Sequence, residues 1–153
     1  MSALLAPLWA GIGTGGFAVL FFLRGRDIPL AASGGAIGWA AYAATAAVTG
    51  SPAVGYFAAA AAIGLWSEAL ATALKRPATV YMICGIIPLV PGGGMYYTML
   101  AAVRGNSWLA ITTGFETLQA AGAIAAGLAV SSAASRLLSL RALASRALAR
   151  RRP

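Results

Sequence analysis

The chain has 153 residues, 60% of them hydrophobic and only 9% charged, with a mean hydropathy of +0.82. A soluble domain carries about 25% charged residues, so an ordinary water-facing surface is excluded. The formal charge of +8 does not mark a nucleic-acid binder: six of the eleven basic residues are Arg136, Arg141, Arg146, Arg150, Arg151 and Arg152, and the others stand singly or in pairs between apolar runs, as the positive-inside rule produces.

A membrane-spanning helix takes about 20 apolar residues, and five stretches meet that length. The first runs from about Ala3 to Leu23 and stops at Arg24, Arg26 and Asp27. It lacks a basic leading segment and is long enough to span, so it reads as a helix rather than a signal peptide. The second runs from about Ile28 to Val48 and ends at the turn Thr49-Gly50-Ser51-Pro52. Along it Gly35, Gly38, Tyr42, Thr45 and Thr49 recur at spacings of three and four. Small residues on such a face let helices approach closely, and Gly11-x-x-x-Gly15 and Gly34-x-x-x-Gly38 fit the same packing role. The third runs from about Ala53 to Leu74 and stops at Lys75-Arg76-Pro77.

The fourth, from about Ala78 to Val103, contains Pro88, Pro91, Gly92, Gly93 and Gly94. Each proline removes a backbone donor and crowds the preceding turn, so a discontinuous helix is expected, its second half starting near Gly94-Met95-Tyr96. Such breaks serve transporters, because a half-helix N-terminus offers free N–H groups and a positive dipole end to an anion. The expected substrate-binding residues are therefore Pro88, Pro91, Gly92, Gly93 and Gly94, with Tyr96 and Tyr97 just beyond them. A kink made for packing alone, and interfacial anchoring of the two tyrosines, are the competing readings.

The fifth stretch runs from about Trp108 to Val130. Thr112, Thr113, Glu116 and Gln119 share one of its faces, continued by Ala123 and Gly127. Glu116 and Glu68 are the only carboxylates inside apolar runs, whereas Asp27 sits in a loop beside Arg24 and Arg26 and reads as solvated or paired. A charge in hydrocarbon costs at least about 2.5–3.5 kcal/mol, so either glutamate is expected to face a bundle interior or a cavity and is a candidate to carry a coupling proton. An interhelical hydrogen bond, or for Glu68 snorkelling to the interface, is the alternative.

Residues 1–133 thus form an all-α integral membrane domain of about five transmembrane helices, the fourth discontinuous, and residues 134–153 a basic tail. The tail's arginines spread around a helical wheel, so attraction to lipid headgroups is enough to explain them. With five full spans, ten of the eleven basic residues fall on one side. That puts the N-terminus outside and the C-terminus in the cytoplasm of a bacterial inner membrane. There is no histidine and a single cysteine, Cys84. No metal site, cofactor, disulfide or catalytic residue is expected, and an intramembrane enzyme is the weakest reading.

The run Pro77-Ala78-Thr79-Val80-Tyr81 followed by Gly85-Ile86-Ile87-Pro88-Leu89-Val90-Pro91-Gly92 resembles the threonine/serine exporter family. It is similar to the C-terminal half of that family, which also occurs as a separate small membrane protein (YjjB-like). Gly34-Gly35-Ala36-Ile37-Gly38-Trp39, the third run as far as Glu68 and, more loosely, Gly25-Arg26 fit as well. The likeness covers roughly Phe17 to Gly127. It departs at Cys84, where the family usually has proline, so unwinding should begin later here. The resemblance implies a small subunit of a secondary exporter for threonine, serine or a dicarboxylate such as succinate. It implies a larger membrane subunit supplying the other half, and no nucleic acid. A homo-oligomer remains open, and a scaffold that only stabilises a partner membrane protein is the alternative function.

Overall fold

The computed structural model describes the backbone of residues 2–149 and the side chains of residues 5–137. Among these residues every regular element is a helix: α1 (Ser2–Leu20), α2 (Asp27–Thr49), α3 (Pro52–Leu74), α4 (Ala78–Ile86), a 3-10 turn (Ile87–Leu89), α5 (Gly92–Val103) and α6 (Ser107–Ala149). α3 and residues 107–137 of α6 are each long and apolar enough to cross a bilayer, and α4 with α5 makes a third such length, bent by 49° at the break. α1 gives a shorter apolar helix over Leu5–Leu20. By length and composition the structure therefore supports two or three spans, where the sequence alone suggests about five.

α1 ends three residues before Leu23 for a local reason. Phe22 turns left-handed at φ 60°, and the Leu23 N–H donates to the carbonyl of Ala18 at 3.0 Å. That is the six-to-one closure that stops a helix. Gly105 (φ 76°) ends α5 in the same way, with the Asn106 N–H on the Ala101 carbonyl at 2.9 Å. Asn106 then caps α6: its side-chain oxygen accepts from the Leu109 N–H at 3.1 Å. α6 continues without a break past residue 133, so its backbone does not separate where a tail was expected to begin. The arginine side chains from Arg141 onward lie outside the described residues.

The helices follow one another in space: α1 packs on α2, α2 on α3, α3 on α6 and α6 on α5, while α4 rests in the angle between α2 and α3. Glycines set how closely they approach. The side chain of Ile63, fully buried, lies against both Gly38 of α2 and Gly85 of α4. Gly35 faces Thr14, whose hydroxyl donates to the Ala10 carbonyl at 2.9 Å. Gly127 of α6 lies against the Phe57 carbonyl of α3, and Gly64 of α3 against Ser131 of α6. The small-residue faces read from the sequence are thus packing faces in α1, α2 and α6.

The fourth stretch is broken, as Pro88 and Pro91 require. α4 runs through Cys84 to Ile86 before the 3-10 turn. α5 begins at Gly92 rather than near Gly94, because a helix's first turn needs no internal N–H partners. All three glycines therefore lie inside that first turn.

Candidate functional site

A cavity of about 780 Å³ opens where the break meets the turn between α2 and α3. One wall is the break itself: Pro88, Leu89, Val90, Pro91, Gly93 and Gly94, with Tyr97 one turn along. Beside it runs α6, presenting Thr113, Glu116, Thr117 and Gln119. Trp39, Tyr42 and Tyr56 close the third side. Their rings form a chain, with centroids 5.6 Å apart between Trp39 and Tyr42 and 4.8 Å between Tyr42 and Tyr56.

α5 and α6 meet at this wall because Gly94 has no side chain. A β-carbon there would run into the Thr117 hydroxyl. One turn further the hydroxyls of Thr98 and Thr113 lie 3.1 Å apart. Gly92 and Gly93 differ: a β-carbon on either would meet nothing within 4 Å. Glycine at a helical position costs up to about 1 kcal/mol relative to alanine, and no packing among the described residues explains it at these two. The Gly92 N–H donates to the Val90 carbonyl at 2.7 Å and the Met95 N–H to the Pro91 carbonyl at 3.1 Å. The amides of Gly93 and Gly94, in between, belong to the turn whose donors look outside the helix for acceptors. The cavity lining thus holds two glycines of that first turn together with a carboxylate, Glu116.

Of the expected site residues, Pro88, Pro91, Gly93, Gly94, Tyr97 and Glu116 come together around this cavity. Gly92 adjoins them in sequence without lining it, and Tyr96 faces outward with its ring edge-on to Tyr97 at a centroid distance of 5.3 Å. Glu68 is half-buried on α3 and lines neither this cavity nor the smaller one described below. Neither glutamate is enclosed by the chain as a bundle-interior position would be: Glu116 is exposed at the cavity's rim. The reason is architectural: among the described residues the helices that pack closely on α6 are α3 and α5, and the rest of its face stays exposed. Trp39, Tyr56 and Thr117 were not expected at the site. The available signal was an aromatic residue on each side of the tight Gly50-Ser51-Pro52 turn, which folds α2 and α3 back on one another.

The profile of a family described as Threonine/Serine exporter, ThrE, matches residues 7–134, five helices and most of the sixth. The chain belongs to the threonine/serine exporter family. It is therefore a membrane protein of a transport family, and that membership argues against an enzymatic role. Comparison with curated proteins and with solved structures returned no match. Within the exporter family's matched region lie both the broken helix and every residue of the cavity wall.

Proposed function

We propose that this threonine/serine exporter family chain is the small subunit of a two-component secondary exporter. It moves a small amino acid or carboxylate across the bacterial inner membrane. The observation that carries this reading is the meeting, around one cavity, of the Pro/Gly break and Glu116. The amides of Gly93 and Gly94 suit a substrate carboxylate, the hydroxyls of Thr113, Thr117 and Tyr97 suit a polar side chain, and Glu116 suits a coupling proton.

In this reading α1, α2, α3, the bent pair α4–α5 and α6 each cross once. The loop after α1, the loop after α3 and the arginine-rich end then share the cytoplasmic side, which carries ten of the eleven basic residues. The larger subunit covers the open side of the cavity, where Glu116 and Gln119 would otherwise meet lipid. The test is efflux from cells loaded with threonine, serine or succinate, comparing this chain alone, the chain with the membrane protein encoded beside it, and neither. Efflux that needs both proteins supports the reading. A chain whose only effect is on the partner's abundance is a scaffold.

A further inference from the structure

A second cavity, of about 300 Å³, lies at the opposite end of α2, bounded by Phe21, Phe22, Arg24, Asp27, Arg76 and Tyr81 among others. From Asp27 to Tyr42 of the first cavity is about 22 Å along α2, at 1.5 Å per residue. The two are therefore separate sites.

Its chemistry is that of opposite charges held apart. Asp27 accepts a hydrogen bond from the Tyr81 hydroxyl at 3.1 Å, and its other oxygen lies 3.5 Å from the Arg76 guanidinium. A closed carboxylate–guanidinium pair sits at about 2.7–2.9 Å and is commonly bidentate. Here the pair is longer and single, the Asp27 side chain is 14% exposed, and that of Arg76 is 62% exposed. The carboxylate keeps acceptor sites and the guanidinium keeps donors. Arg24, a second arginine, also lines the cavity. The rim is formed by Phe22, a bulky residue at φ 60°. That conformation is uncommon for such a side chain, and it carries the chain around the cavity.

We propose that this cavity is a binding site for a zwitterionic α-amino acid, in which Asp27 receives the ammonium group and Arg24 and Arg76 the carboxylate. It rests on the exporter reading for its role, as the site that loads substrate from the end of the molecule bearing the basic loops. The volume suits a residue-sized solute, and Asp27 disfavours a dicarboxylate that brings no cation to it. Tyr81 is a positioning residue: its hydroxyl orients the Asp27 carboxylate and its ring, buried with Cys84, Ala31 and Leu70, fixes the hydroxyl's place.

The test is equilibrium binding of labelled threonine to the full chain in lipid nanodiscs, with unlabelled 3-hydroxybutyrate, the same molecule without its amino group, as competitor. The wild-type chain should bind threonine in strong preference to 3-hydroxybutyrate. Asp27→Asn, which preserves an acceptor for Tyr81, should weaken threonine by about tenfold or more, the usual loss for one charge-assisted hydrogen bond, and should leave 3-hydroxybutyrate unchanged. Arg24→Gln, at an exposed loop position where unfolding is not a concern, should weaken both. Failure of wild-type binding, wild-type affinity in Asp27→Asn, or parallel loss of both ligands in that variant overturns the proposal; the last marks a purely structural clasp. Binding is read without transport, so a failed exporter role would leave this result standing, and failed binding would leave efflux untouched.

Discussion

Glu116 is the residue on which the coupling argument turns. It lines the same cavity as Gly93 and Gly94, together with Thr113 and Thr117 of its own helix. Glu116→Gln keeps the shape and the hydrogen-bonding capacity and removes only the exchangeable proton. It should abolish or uncouple efflux while the chain's abundance in the membrane stays at the wild-type level. Wild-type efflux in this variant would remove Glu116 from the coupling step. Its place on one helical face with Thr113 was legible in the sequence. The aromatic residues that line the same cavity were not, because Trp39, Tyr42 and Tyr56 come together only through the way α2 folds back on α3. The Asp27–Tyr81 bond was equally hidden: 54 residues separate the two, and a loop aspartate beside two arginines points first to those arginines.

At the scale of elements, glycines hold the helices together, and the demand on them is uneven. Gly127→Ala would press a β-carbon against the Phe57 carbonyl and near the Ala61 amide, both backbone atoms that can yield only by moving α3. Overpacking of this kind costs about 1–3 kcal/mol. Gly122→Ala, where a β-carbon meets nothing within 4 Å, should cost nothing and even add a few tenths of a kcal/mol from helix propensity. Thermal melting of the purified chain checks both, and equal behaviour of the two variants would sink the α3–α6 packing account. The break between α4 and α5 makes the complementary point. Pro88→Ala together with Pro91→Ala should let α4 and α5 join into a straighter helix and remove one wall of the cavity. Efflux should stop while the chain still reaches the membrane. Efflux that survives would move the site away from the break. The break was readable residue by residue, since proline chemistry acts locally. The end of α1 was not, because Phe22 closes it three residues before Leu23 by a backbone conformation that hydropathy does not record.

For the whole molecule the question is what covers α6. Its face beyond α3 and α5 exposes Ile111, Phe115 and Leu118, which suits lipid, and Glu116 and Gln119 beside them, which does not. Leaving a carboxylate against hydrocarbon costs at least about 2.5–3.5 kcal/mol, and Glu116 and Gln119 both line the cavity. A protein surface laid over Phe115–Gln119 would close the cavity, screen the carboxylate and leave the apolar residues around it packed. Replacing Leu118, 71% exposed and next in sequence to the cavity-lining Thr117, with a photo-crosslinking amino acid tests this directly. With the neighbouring membrane protein co-expressed, illumination should yield an adduct of the two chains, and efflux should require both. An adduct at twice this chain's mass, with efflux from the chain alone, would instead make the covering surface a second copy and the exporter a homo-oligomer. If no protein adduct forms while efflux proceeds, α6 faces lipid and Glu116 works from an open groove. The two-subunit reading then fails at the interface and not at the cavity, because the break and the glutamate that line it belong to this chain alone.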